Sequence, residues 1–406
     1  MSDVIQDFYD QRPYPFFDHQ RLKNSKAPAQ KAAAAIHHGF GGIVPSDKKL
    51  RILIAGGGSG MGLVLLGLGF IALGIDADFT YLDISETSRK TAESRANAVG
   101  LTEVKYLTGN IEKLSDLPAG QYDYIDFVGV LNHVANPQGC LEALSHALAD
   151  DGTIACMAYG RTGRTGIYEF QKMVFQLLGP EPDITIARSI LEALPENNWL
   201  RKNSLYEHLL EADDTEFADA LLNPRDRAFN TSDLQELFTG ARLAHLRFTP
   251  PMFYDPAAIL KNEESVRAAK ALPSSDQRLI AELLLGDLNK HFLYASKQEL
   301  LSAYETAISS PEALICLNTK LKLPDNTGAD QNEAVHVKIA VEFDGRKRNI
   351  STHLSATEVE LVRRLGKPVS MFALKDGFSP SDFAKAFERL YRMLTAMDML
   401  HVVHRA

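Results

Sequence analysis

Cysteine is scarce in this chain: Cys140, Cys156 and Cys316 are its only three in 406 residues, and no two stand at C-x-x-C spacing. That argues against a disulfide framework and a cysteine-bound zinc, and it suits a reducing compartment, so a cytoplasmic protein is expected. Basic charge is short as well. Lys and Arg number 43 against 52 Asp and Glu, a formal charge of −9 at pH 7, which disfavours broad electrostatic binding to nucleic acid or an anionic membrane. Long apolar runs are missing: residues 61–75 are too few to span a bilayer and contain several glycines, so they read as a helix buried against a sheet. Residues 1–15 are polar and acidic and lack the basic-then-apolar order of a signal peptide. A metal set is missing too. Of His37, His38, His401 and His404, only His401 has a carboxylate at helical spacing, Asp398, which is too few ligands, so no metal is expected.

What is present is ordinary globular material, 45% hydrophobic and 23% charged, in a chain long enough to suggest two domains. Residues 51–60, Arg-Ile-Leu-Ile-Ala-Gly-Gly-Gly-Ser-Gly, read as an apolar strand entering a turn with glycines at Gly56, Gly58 and Gly60. Glycine at every second position lets the backbone approach a ligand closely, and the helix that follows points its first N–H groups the same way. The dinucleotide pattern G-x-G-x-x-G is not met, because Met61 or Leu63 stands where its third glycine belongs, and no Gly-Lys-Ser/Thr follows to make a P-loop. About 23 residues after Gly60 a second apolar strand, 79–82, ends in Asp83, a carboxylate suited to ribose hydroxyls in either NAD or another adenosine ligand. Strands at 104–107 and 124–130 lead into Gly109-Asn110-Ile111 and Leu131-Asn132-His133. Each polar element thus falls beyond the carboxyl end of a strand, where open α/β sheets bind ligands.

Ile54-Ala55-Gly56-Gly57-Gly58-Ser59-Gly60, Tyr81-Leu82-Asp83, Gly109-Asn110-Ile111-Glu112 and Gly129-Val130-Leu131-Asn132-His133 together resemble the successive motifs of class I S-adenosylmethionine-dependent methyltransferases. The resemblance implies a Rossmann-like, doubly wound α/β sheet with S-adenosylmethionine as cofactor. It places the methionyl end against Ala55, Gly56, Gly57, Gly58 and Gly60, the ribose at Asp83 and Ile84, and the adenine beside Asn110 and Ile111. The methyl donor region would then be flanked by Val128 and Gly129. Two positions depart from the family pattern: Ala55 stands where an acid often precedes the first glycine, and Asn110 where Asp is frequent. An N-terminal Tyr-Pro-rich arm, a Gly-Arg-Thr-Gly-Ile-Tyr loop and a helical insertion resemble one bacterial subgroup, whose acceptors the resemblance does not name.

Three regions are expected. Residues 1–50 form an arm whose segment 8–17 is too broken by aromatics and prolines for a regular helix, either packed outside the domain or lying as a lid over the cofactor. Residues 51–297 form the methyltransferase domain, with helices from 167 to about 240 inserted as a cap. Residues 298–406 form a smaller α+β domain that resembles a winged helix, reached through a polar linker at 324–332. It is expected to serve as an accessory or dimerisation unit, compatible with a homodimer, since its helices lack clustered basic residues.

Methyl transfer needs alignment of nucleophile, methyl and sulfur, and a base only where the nucleophile arrives protonated. His133 is the candidate base, or else a histidine that holds its loop. Asn132 beside it either fixes an acceptor or makes a turn. Tyr159 and Tyr168 either line the acceptor pocket, Tyr168 with a hydroxyl directed at it, or pack under the cap. Arg161 and Arg164 suit a carboxylate or phosphate on the acceptor, or stay solvated. Tyr14 covers the site if the arm is a lid. The acceptor, a small molecule or a protein side chain, is not legible. A silent cofactor-binding subunit or sensor is the alternative, and a nicotinamide reductase comes third: Tyr168 and Lys172 make Tyr-x-x-x-Lys, but the strand before them has no serine.

Overall fold

The computed structural model describes residues 4–112, 119–318, 321, 323, 334–343 and 346–406. The chain opens with helices α1 (Val4–Gln11), α2 (His19–Lys23) and α3 (Ala27–Phe40). Here the expectation of a broken segment needs correction, because Phe8 to Gln11 complete a regular helix. Proline enters only at Pro13, after α1 has ended, so nothing removes a hydrogen bond from within it. Pro28 sits in the first turn of α3, where its missing N–H costs nothing, and Gly41 ends that helix in the left-handed region at φ 60°.

A short strand β1 (Ile43–Val44) precedes the alternating unit: β2 (Leu50–Ala55), α4 (Met61–Ala72), β3 (Ala77–Asp83), α5 (Glu86–Val99), β4 (Val104–Thr108), β5 (Tyr122–Val128), α6 (Pro137–Ala147) and β6 (Leu148–Tyr159). The strand β2 is buried on both faces at Ile52, Leu53 and Ile54, as a central parallel strand should be. After β6 the cap helices α7 (Ile167–Leu178), α8 (Ile184–Glu192), α9 (Tyr206–Glu211) and α10 (Asp214–Leu221) gather around a core of their own that includes Ile167, Phe170, Leu191 and Phe217. Helix α11 (Thr231–Gly240) starts at Asn230, whose side chain accepts the Asp233 N–H while Asp233 accepts the Asn230 N–H. Its Leu234 and Phe238 join the core under the sheet rather than that of the cap. The chain continues through β7 (His245–Thr249), α12 (Glu263–Lys270), α13 (Ser274–Leu285) and β8 (Lys290–Ser296). Seven strands form the main sheet in the order β4-β3-β2-β5-β6-β8-β7, parallel as far as β6 and antiparallel over the last two. Helices α3, α4 and α5 bury residues such as Ala32, Leu63 and Ala92 on one face, and α6 and α11 cover the other. The sheet is therefore doubly wound.

The remaining elements are α14 (Ala303–Ser309), β9 (Leu314–Leu317), β10 (Val335–Phe343), β11 (Arg346–Leu354), α15 (Ala356–Arg364), β12 (Val369–Ser370), α16 (Met371–Lys375), α17 (Pro380–Ala396) and β13 (Leu400–Arg405). Strands β10 and β11 pair as an antiparallel hairpin; its expected turn at 344–345 and the expected linker at 324–332 fall outside the described residues. A second sheet has the order β1-β13-β9-β12, in which β1 from the N-terminal segment lies parallel to β13. Beside this seam, α3 supplies a partner that sequence spacing did not reveal. His38 Nε2 stands 2.6 Å and His401 Nε2 2.8 Å from Asp398 Oδ1, and the Val402 N–H donates to His37 Nδ1 at 3.1 Å. Burial alone would raise the Asp398 carboxyl; the two rings outweigh it and hold that group well below the usual carboxylate range. Burial pushes His37 and His38 down.

Candidate active site

Beyond β2 the backbone turns through Gly56, Gly58 and Gly60 at φ 67°, 52° and 96°, angles at which a side chain is strained. A Cβ on Gly56 would stand 2.6 Å from the Val130 side chain, and one on Gly58 would strike the Tyr14 carbonyl. Several contacts tie the loop down. The Gly56 N–H donates to Leu82 O at 2.8 Å, the Ser59 N–H donates to Tyr14 O at 2.9 Å, and the Tyr81 hydroxyl donates to Gly58 O. Asp83, at the end of β3, accepts the Gly58 N–H at 2.8 Å and the Ser85 N–H at 2.9 Å. Burial pushes its carboxyl up to about 6 despite those two bonds.

A cavity of about 520 Å³ opens over the carboxyl ends of β2, β3 and β5. Its wall brings together Gly56, Gly57, Gly58, Asp83, Ile84, Asn110, Ile111, Val128, Gly129, His133, Tyr14 and Tyr159 from the sequence-based set. The Asn110 side-chain oxygen accepts the Glu112 N–H at 2.8 Å, so the atom suited to an adenine amino group already holds a backbone donor. The other candidates lie outside the wall. Ala55 is buried within β2, and Gly60 makes the turn into α4 against Ala92. Asn132 is buried, and its NH2 donates to Arg227 O at 2.6 Å. Arg161, an exposed side chain, pairs with Asp233 at 2.9 Å. Arg164 is neither solvated nor open to a ligand. It is buried, pairs with buried Asp226 at 2.7 Å, donates from Nε to the Tyr168 hydroxyl at 3.1 Å and lies 4.0 Å over the Tyr159 ring. Tyr168 is thereby directed at Arg164. These corrections share a cause: Asp226 and Asp233 arrive from beyond the cap helices, at distances along the chain over which spacing carries no information.

Among the cavity residues not picked out from sequence are Tyr9, Lys31, Asp126 and Asp219. Tyr9 belongs to the aromatic arm, a signal that was visible; Asp219, on α10, sits in no motif. The Tyr9 hydroxyl donates to Asp219 Oδ1 at 2.8 Å, and the Tyr159 hydroxyl points to Oδ2 at 3.4 Å. The His133 ring stands edge-on to both tyrosines, with centroids 6.2 and 5.8 Å away. Its Nδ1 lies 2.8 Å from Arg225 O, and a carbonyl only accepts, so Nδ1 carries the proton and the neutral ring keeps its lone pair on Nε2. Burial raises the Asp219 carboxyl, with His133 and the Tyr9 hydrogen bond acting against that rise.

Residues 54–156 match the family model described as "Methyltransferase domain". The structure is similar to PKMT2 from Rickettsia typhi, solved alone and in complex with AdoHcy. The TM-scores are 0.63 and 0.66 at 15% identity, covering 96% and 97% of this chain and 77% of that one; the shared fold thus reaches past the main sheet. An uncharacterized protein of Synechococcus sp. is 28% identical over 271 residues, 65% of this chain and 64% of its own length. A ubiquinone biosynthesis O-methyltransferase of Maricaulis maris is 31% identical over 128 residues, 32% of this chain and 47% of its own. The chain therefore spans less than two thirds of either curated relative. Over residues 54–156 the chain thus resembles a methyltransferase domain, set in a mixed α/β fold that it shares with the solved structure. The residues present fit S-adenosylmethionine, the cofactor that the motifs imply: Gly56, Gly57, Gly58 and Gly60 have no room for a Cβ, and the buried Asp83 carboxylate stands one strand away.

Proposed function

We propose that the protein is an active S-adenosylmethionine-dependent methyltransferase and that its acceptor atom is an amine nitrogen. The observation that carries this reading is the charge balance at the far end of the cavity. Asp219 and Asp226 are both buried, and the guanidinium that acts on them, Arg164, is held by Asp226 at 2.7 Å. Asp219 has hydroxyl donors but no ion partner among the described contacts. A buried carboxylate in that state favours a cationic guest. The two loop arginines expected to meet an anionic acceptor, Arg161 and Arg164, are taken up by aspartates.

Bound S-adenosylmethionine supplies an electrophilic methyl on a sulfonium. Asp219 accepts one N–H of the acceptor's ammonium group and so fixes the nitrogen. His133 Nε2 removes a second proton, which frees the nitrogen lone pair toward the methyl that the cofactor would supply. With that proton on His133, the acceptor would leave as a methylated ammonium and the cofactor as S-adenosylhomocysteine. His133 contributes as general base, an effect of about 10²–10⁴-fold in rate.

Methyl-labelled cofactor incubated with lysate and a panel of amines tests the reading. Label that survives base and co-elutes with a methylated amine is expected, with Asp219→Asn losing most of it while still binding S-adenosylhomocysteine. Label released by base as methanol, or found in an O-methyl product, would overturn the amine assignment. Cofactor binding with no labelled product under any condition would favour the silent sensor.

A further inference from the structure

We infer that Lys31 and Asp126 form the subsite for the α-amino acid end of the cofactor, taking over the task of the acid that the glycine loop lacks at Ala55. The proposal rests on the S-adenosylmethionine reading of the cavity and says which side chains hold that molecule's zwitterion.

Asp126 lies in the middle of β5, in register with Ile54, two residues before Gly56. Its side chain is 4% exposed, and Lys31 Nζ on α3 stands 3.2 Å from its Oδ1. Both residues line the same cavity as Gly56, Gly58 and Asp83. Although Lys31 is within ion-pair distance, Oδ1 has no hydrogen bond, since the ammonium lies off the direction that a bond requires. A buried carboxylate oxygen left without a donor is the mark of a missing partner. The carboxylate itself is accommodated by Gly62, in the first turn of α4, where a Cβ would stand 2.7 Å from Asp126 Oδ2.

An α-amino acid carries an ammonium and a carboxylate a few ångströms apart, and the cavity wall carries the complementary pair. Asp126 accepts from the ammonium through its unpartnered oxygen, and Lys31 donates to the carboxylate, each bond being charge-assisted. The first-turn N–H groups of α4 favour negative charge on the same side. Asp83, one strand over on the other side of the glycine turn, takes the ribose. The glycine loop thus needs no acidic side chain of its own.

Isothermal titration with two ligands separates this subsite from the rest of the cavity. S-Adenosylhomocysteine carries the amino acid end; 5′-methylthioadenosine keeps adenine, ribose and sulfur but lacks it. Asp126→Asn, close in shape to the original residue, is expected to weaken S-adenosylhomocysteine roughly 10- to 100-fold, the scale of a lost charged hydrogen bond, and to leave 5′-methylthioadenosine within about twofold. Lys31→Met, at a partly exposed site on a helix that keeps its apolar contacts, is expected to do the same. Parallel loss of both ligands, or unchanged S-adenosylhomocysteine binding in both variants, overturns the assignment. If the unaltered protein binds neither ligand, the cofactor reading itself fails, and the subsite with it.

Discussion

Replacing Arg164 by methionine should damage the cap more than any surface change and yet spare cofactor binding. The side chains of Arg164 and Asp226 are 5% and 0% exposed. Arg164 also donates to the Tyr168 hydroxyl and, at 3.1 Å, to Ala220 O, and it covers the Tyr159 ring. Burial works against the guanidinium's charge, and Asp226 beside it more than restores it. Methionine would leave Asp226 ionised in the interior with neither oxygen served, because its Oδ1 already lacks a partner. Breaking a buried pair from one side costs about 3–5 kcal/mol. The double variant Arg164→Met with Asp226→Asn removes the stranded charge and should recover more than half of that loss. Urea unfolding of the three proteins, with equal slopes as the condition for comparing midpoints, measures both quantities. S-Adenosylhomocysteine affinity should stay within about twofold throughout, since Arg164 is outside the cavity wall. A single-variant loss under about 1 kcal/mol, or a double variant as weak as the single one, would refute the reasoning.

Asp83 offers a pH test. Burial lifts its folded carboxyl to about 6, above the unfolded value, so the folded state is the better proton binder. Stability contributed by this group is full below about pH 4 and declines as pH rises to about 6, by up to about 3 kcal/mol. Ribose hydroxyls need the ionised form, so S-adenosylhomocysteine binding should weaken as pH falls below about 6, and Asp83→Asn should flatten that dependence; a flat profile in the unaltered protein from pH 5 to 8 would contradict it. Asp398 acts in the opposite sense. Its carboxyl is held below the usual range, so its stabilisation is present above about pH 4 and lost as acid is added, and the depressed His37 and His38 oppose acid already below about 6.5. Asp398→Asn should cost about 2 kcal/mol near neutral pH for two hydrogen bonds at a partly exposed site; a melting temperature within one degree of the parent would show the cluster to be inert.

Legibility in the sequence followed the range of the forces involved. The glycine turn, β3 ending at Asp83 and helix α7 are local: their apolar periods, caps and breakers lie within a few residues, and α7 begins and ends where its pattern does. The second sheet was not legible as a sheet. Strands β1 and β12 are two residues each and have no pattern of their own, and β13, though readable as an apolar strand, owes its place to partners far along the chain. The site divides in the same way. The cavity wall beside the glycine turn is built from strand ends in order, so motifs marked it. Lys31 and Asp219 reach the cavity only because their helices fold over the strand ends, and nothing adjacent to them in the chain announces this.

The seam between α3 and β13 has a consequence in time. His38 and Asp398 are 360 residues apart, and at a synthesis rate of roughly 5–20 residues per second the first waits about 20–70 s for the second to emerge. Through that interval Ile43 and Val44 have no strand to pair with, and His38 lacks the carboxylate that it will share with His401. The cofactor-binding sheet can assemble meanwhile from shorter-range contacts. A nascent chain should therefore bind cofactor before it resists proteolysis at its N-terminal helices.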